Sequence, residues 1–110
     1  MARTNLSVQQ IVRTGLTHTF AAVDQPNGNE FVNDGACFLY VKNASGGSIN
    51  VTTITQPTVD SLAVADLVVA VGAGVNKLIG PFPPSIYNTD GKVQVDFSAG
   101  TSVTAAVIRL

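Results

Sequence analysis

Residues 90–97 read DGKVQVDF, and this stretch decides the fold. Val93, Val95 and Phe97 alternate with Lys92, Gln94 and Asp96. A period of two sends the apolar set to one face and the polar set to the other, the pattern of a half-buried β-strand. Asp90-Gly91 just before it is a hairpin signal, because both residues tolerate positive φ. Short β-branched runs recur on either side, punctuated by Gly, Asn, Asp and Pro, and no sustained 3.6-residue period appears. The chain therefore reads as all-β.

Working outward, VTAAVIRL (103–110) is apolar on both faces. LVVAV (67–71) is continuously apolar, which predicts cover on both sides. That cover comes from the domain's own loops or, as favoured for at least one of these two strands, from another subunit. Gly72 and Gly74 close the 67–71 strand, and NKLI (76–79) leads into PFPP (81–84). SINVTTIT (48–55) predicts a strand ended by Pro57. Its Ile49 and Val51 share a face but Ile54 falls on the other, so a bulge near Thr52-Thr53 is expected to restore the register. CFLYVK (37–42) predicts a strand and NASGG (43–47) a turn. DQPNGNEFVNDG (24–35) is turn-rich, with Asn27-Gly28 placed to close a tight hairpin. LTHTFAAV (16–23) predicts one more strand. The expected architecture is a single small β-sandwich or partly open β-barrel over residues 15–110, preceded by an extended, polar N-terminal arm over residues 1–14.

Composition narrows the function classes. The 110 residues fit one domain, and net charge is −1 with 12% charged residues, against a typical ~25%. A surface this balanced and sparse gives no electrostatic footprint for nucleic acid or an acidic membrane. It also gives little protection against self-association. Asn5, Asn43 and Asn50 sit in glycosylation sequons, read as chance matches in a chain with no apolar leader of signal-peptide length. No apolar run approaches the ~20 residues of a membrane-spanning helix.

The single cysteine, Cys37, lies in an apolar run with no ligand neighbours and reads as a small buried apolar side chain. The only histidine, His18, has no Cys or acidic partner nearby in sequence and reads as a strand-face residue. Asp34, Asp60, Asp66 and Asp90 fall in or beside predicted turns, where Asp caps backbone amides. Nothing marks Asp90 and Asp96 as an acid–base pair. VGAGVNKLIG (71–80) lacks the spacing and the Gly-Lys-Ser/Thr ending of a phosphate loop. The expectation is a protein without catalysis, metal or cofactor.

The segment LIGPFPPSIYN (78–88) brackets Phe82 with three of the chain's five prolines. Each proline fixes its own φ and pushes the preceding residue towards extended geometry. Proline is excluded from central strands, so the segment lies at an edge or crosses between sheets. Either Phe82 folds into its own core at a rigid corner, or it presents a pre-ordered apolar contact to a neighbouring subunit.

Taken together, IVRTGLTHTFAAVD, FVNDGACFLYVKNASGGSINVT, LIGPFPPSIYN, DGKVQVDFS and VTAAVIRL resemble a group of small structural proteins of tailed-bacteriophage virions, over nearly the whole chain. Within that group the chain resembles capsid decoration (cement) proteins. The resemblance implies a β-rich module, commonly trimeric, that is made in the host cytoplasm and seated on the outer capsid surface. Its partners would be the major capsid protein and further copies of itself, with no active-site residues. The alternatives are another small head or head–tail joining protein, or a virion-surface carbohydrate-binding module. Candidate subunit or capsid contacts are Asn5, Leu6, Val8 and Ile11 in the arm, Phe82, Pro83, Pro84 and Tyr87 at the proline corner, and Ile108 and Leu110 at the C-terminus. The arm, too poor in apolar content to fold alone, is expected to order by lying across a neighbour.

Overall fold

The computed structural model describes residues 3–55, 58–59, 62–63 and 65–109. Its strands, in chain order, are β1 (Thr4–Asn5), β2 (Val8–Gln10), β3 (Ala21–Ala22), β4 (Asn29–Val32), β5 (Cys37–Asn43), β6 (Ile49–Ile54), β7 (Thr58–Val59), β8 (Leu62–Ala63), β9 (Leu67–Val71), β10 (Asn76–Ile79), β11 (Asn88–Thr89), β12 (Lys92–Phe97) and β13 (Val103–Arg109). One helical turn, α1 (Pro84–Tyr87), stands between β10 and β11. Two mixed sheets pack together as a small sandwich, and neither closes into a barrel. Sheet I runs β1-β4-β12-β6-β9, with β11 also on β12; sheet II runs β10-β5-β13-β2, with β3 also on β13.

The founding stretch behaves as its alternation predicts. Val93, Val95 and Phe97 are buried, while Lys92, Gln94 and Asp96 are half-buried. Asp90 and Gly91 both adopt positive φ, 54° and 78°, and close the β11–β12 hairpin. Phe31, Leu39, Val41, Val51, Val71 and Val107 join this strand's inner face in one core drawn from both sheets. Each such side chain contributes roughly 1.5–3 kcal/mol on burial.

Several sequence expectations are corrected. β6 has no bulge, because it pairs regularly with β12 and β9. Thr53 simply takes the inner position that an apolar residue would fill, and Ile54 stays half-buried on the other face. Of the strand expected over 16–23, only Ala21–Ala22 pairs, against β13. The Asn27-Gly28 turn joins no hairpin: β3 belongs to sheet II and β4 to sheet I, so the chain crosses between layers there. β9 is not covered on both faces within the chain. It is the outermost strand of sheet I, and Val68 on its outer face is 57% exposed.

The N-terminal segment differs most from its expectation. Of its described residues, 3–10 form no free arm but are stitched into both sheets, while 11–14 lie outside the strands. β1 pairs parallel to β4, β2 pairs parallel to β13, and Leu6 between them is 3% exposed in the core. The Arg3 guanidinium meets the Asp96 carboxylate at 2.6 Å and donates to the Val95 carbonyl at 3.2 Å. Both lie over Gly28, where any Cβ would overlap the Arg3–Asp96 pair, and whose φ of +82° already favours glycine. Asn29, fully buried, accepts from the Asp24 amide at 2.9 Å and donates to the Thr4 carbonyl at 3.1 Å. The segment looked too polar to order because hydrogen bonds and one ion pair, rather than an apolar stripe, hold it.

Candidate interaction surface

The proline corner crosses from β10 in sheet II to β11 in sheet I, one of the two placements its prolines allow. The Gly80–Pro81 peptide is cis. Phe82 is 1% exposed, packing its ring against Phe31 (centroids 5.8 Å apart) and edge-on to Tyr87 (5.4 Å). Of the two readings of this corner, the rigid one holds, and Phe82 belongs to the core rather than to a contact surface. Pro83 caps α1 and Pro84 opens it, where a missing N–H costs nothing. Asn33 staples the corner from below. Its amide donates to the Phe82 carbonyl at 2.8 Å and to Asn88 Oδ1 at 2.7 Å.

The other candidate contacts scatter. Leu6, like Phe82, is a core side chain and presents no contact face. Asn5 is exposed on β1 at the lip of a hollow of about 160 Å³ that also touches Gln9, Phe20 and Ala106. Val8 lines a hollow of about 330 Å³ with Cys37, Asp34 and Arg109. Pro83 and Pro84 are exposed and Tyr87 half-buried. Leu110 lies outside the described residues. Ile11 and Ile108, from opposite ends of the chain, come together in a hollow of about 290 Å³ on the outer face of sheet II, lined also by Phe38, Tyr40 and Leu78.

Phe38, Tyr40 and Leu78 were not singled out from the sequence. The signal was present in CFLYVK, where Phe38 and Tyr40 alternate with the core-facing Cys37, Leu39 and Val41. A strand apolar on both faces demands cover on both. Part of that cover comes from the segment before β3. His18 and Phe20 pack on Tyr40 with centroids 5.7 and 5.2 Å apart, and Lys42 Nζ lies 5.8 Å from the Phe20 ring centre. His18 is thus a ring-stacking residue outside any strand, and Ala106, which pairs with Tyr40, is buried.

The charged groups around these hollows are engaged. Arg109 pairs with Asp34, whose carboxyl is held below its ordinary range, first by the Ala36 amide and also by Arg109. Asp24 is lowered chiefly by the Thr4 hydroxyl, which donates to it at 2.5 Å. Asp66 accepts from the Thr55 amide at 3.0 Å, an amide-capping role like that read for it in sequence, while Asp60 lies outside the described residues. Asp96 serves Arg3. Cys37 is buried with its thiol over the Val32 carbonyl at 3.5 Å, and burial pushes its pKa up, opposite to what a nucleophilic thiol needs. Among the described residues, no three His, Cys, Asp or Glu side chains gather as a metal site. The chain matches no family model, no curated protein and no solved structure.

Proposed function

We propose that this chain is a structural protein of a tailed-bacteriophage virion, a decoration protein that seats on the outside of the head and ties neighbouring capsomers. It acts by surface association, with no chemical step. The observation that carries the reading is apolar surface left open on both sheets, at Val68 on the outer face of sheet I and over the outer face of sheet II. There Ile11, Phe38, Tyr40, Leu78 and Ile108 leave an apolar hollow on a small domain with very few charges. A face of this kind is stable in water when something covers it. The short motifs from IVRTGLTHTFAAVD to VTAAVIRL supply the class of partner, a phage capsid shell.

The test is direct. Purified protein is mixed with undecorated heads and imaged by electron microscopy, and the heads are then heated. Regular added density on the shell, with heads that survive a higher temperature, is the expected result. Protein that stays in solution, or that collects only at the neck or tail, overturns the reading, and the latter replaces it with a joining or tail role.

A further inference from the structure

Sheet II is apolar on its inner side and, at Phe38, Tyr40, Leu78 and Ile108, on its outer side, where the described ring contacts cover Tyr40. We propose that a second copy of this chain covers the rest, sheet II against sheet II about a two-fold axis. The inference rests on the reading above only in taking the chain to work by assembly.

Relief, charge and size each support that occupant. Leu78 and Ile11 stand out at 63% and 47% exposed, while Phe38, Tyr40 and Ile108 are half-buried and form the floor beside them. A knob and a hole side by side on one face are what an isologous contact needs. A two-fold axis passing between them seats Leu78 of each copy in the hollow of the other. None of the lining residues is charged. Of the charges at neighbouring positions, Lys42 lies beside the Phe20 ring, Arg109 pairs with Asp34, and Lys77 donates to the Ala70 carbonyl. Two identical faces therefore meet without opposing like charges.

The molecule measures 39 × 36 × 24 Å. Its short dimension is that of two layers about 10 Å apart plus their outer side chains. Sheet II thus presents one of the two broad faces, which accommodates the roughly 800 Å² per partner of a stable interface. A three-fold ring would require two different patches meeting head to tail, whereas here knob and hole share one face.

Sedimentation equilibrium of the full chain over a micromolar-to-millimolar range tests this. The expected mass is twice the 11.4 kDa of the chain. Leu78→Lys is expected to raise the dissociation constant at least tenfold with unchanged circular dichroism, since the position is exposed. Val68→Lys, on the outer face of sheet I, is expected to leave it unchanged. Half-filtered NMR on mixed labelled and unlabelled chains is expected to show Leu78 methyls of one copy against the Phe38 ring of the other. A monomer at every concentration, a three-fold mass, or a dimer indifferent to Leu78→Lys overturns the proposal. A dimer that ignores undecorated heads sinks the decoration reading and leaves this contact standing; heads decorated by a strictly monomeric chain do the reverse.

Discussion

Single residues carry two departures from what their types suggest. Thr53 occupies a core position at 0% exposure, and its hydroxyl is the buried side-chain oxygen without a hydrogen-bond partner among the described residues. Leaving a buried hydroxyl unpaired costs about 1–3 kcal/mol, and an apolar group of the same shape removes that cost. Thr53→Val is therefore expected to stabilise the fold by about 1 kcal/mol or more in urea denaturation; a loss would show that the hydroxyl is satisfied after all. Cys37 departs in its acidity. Its thiol pKa is raised from 9.0 because burial disfavours the thiolate. An acid harder to ionise when folded leaves stability intact below 9.0. Above that value the unfolded chain releases the proton first, and stability falls as pH rises. The stability advantage of the wild type over Cys37→Ala should therefore shrink on moving from neutral to alkaline pH. A constant difference would mean that the thiol titrates as freely in the folded protein as in the unfolded one. At neutral pH a thiol reagent should modify Cys37 only as fast as the chain opens.

At the scale of elements, what could be read in advance was whatever depends on period and turn chemistry. β12 announced itself by strict alternation, its hairpin by Asp90-Gly91, and β5, β6, β9 and β13 by short apolar and β-branched runs, whereas NKLI gave no strand signal for β10. What could not be read was which sheet each strand joins. Asn27-Gly28 has the chemistry of a hairpin turn, yet the strands on either side pair elsewhere, and no local pattern records that. The buried asparagines are the clearest case. Asn29, Asn33 and Asn43 sit in stretches that read as turns, but each is a staple. Asn43 donates to the carbonyls of Gly47 at 2.9 Å and Val71 at 3.1 Å while accepting from the Ser45 amide at 3.0 Å. On the interaction surface, Ile11 and Ile108 were legible as apolar residues needing cover, whereas Leu78 joins them only through the β10–β5 pairing. The N-terminal segment was misjudged for a related reason, since one buried leucine and a few directed bonds leave no stripe. Leu6→Ala is accordingly expected to cost about 2–5 kcal/mol, the usual price of a core leucine. Deleting residues 2 to 10 should lower the urea midpoint by at least as much, and an unchanged midpoint would return the segment to the status of a free arm.

For the molecule as a whole, a two-sheet sandwich has two open flanks, and this chain closes them differently. On one flank lie β1 and β2, the edges of sheet I and sheet II, joined by Leu6-Ser7 with Leu6 plugged into the core between them. On the other lie β9 and β10, joined by the turn over residues 72–75, none of which is buried, with Val75 41% exposed. β9 is the hazard there. LVVAV carries no charge and no proline, and an apolar edge strand is a template for pairing with another chain. The protection comes from across the gap. Lys77 on β10 alternates with exposed Leu78, so its side chain leaves on the inner side of sheet II, and its Nζ donates to the Ala70 carbonyl of β9 at 2.9 Å. A lysine directed inward at a sheet edge opposes strand addition, because any added strand must desolvate its charge. Here it also occupies a β9 carbonyl directly. Lys77→Val removes the charge and the bond while suiting a strand position. The variant is expected to fold, with a circular dichroism spectrum like that of the wild type, and to aggregate faster in light scattering at neutral pH. Hydrogen exchange on the aggregate should show the Val68 and Ala70 amides newly protected. Those amides point away from β6, because Asn50 turns its own backbone towards Ser98 on the β12 side and so fixes which residues of β9 face inward. Unchanged scattering, or new protection confined to sheet II, would mean that β9 is shielded by something other than Lys77.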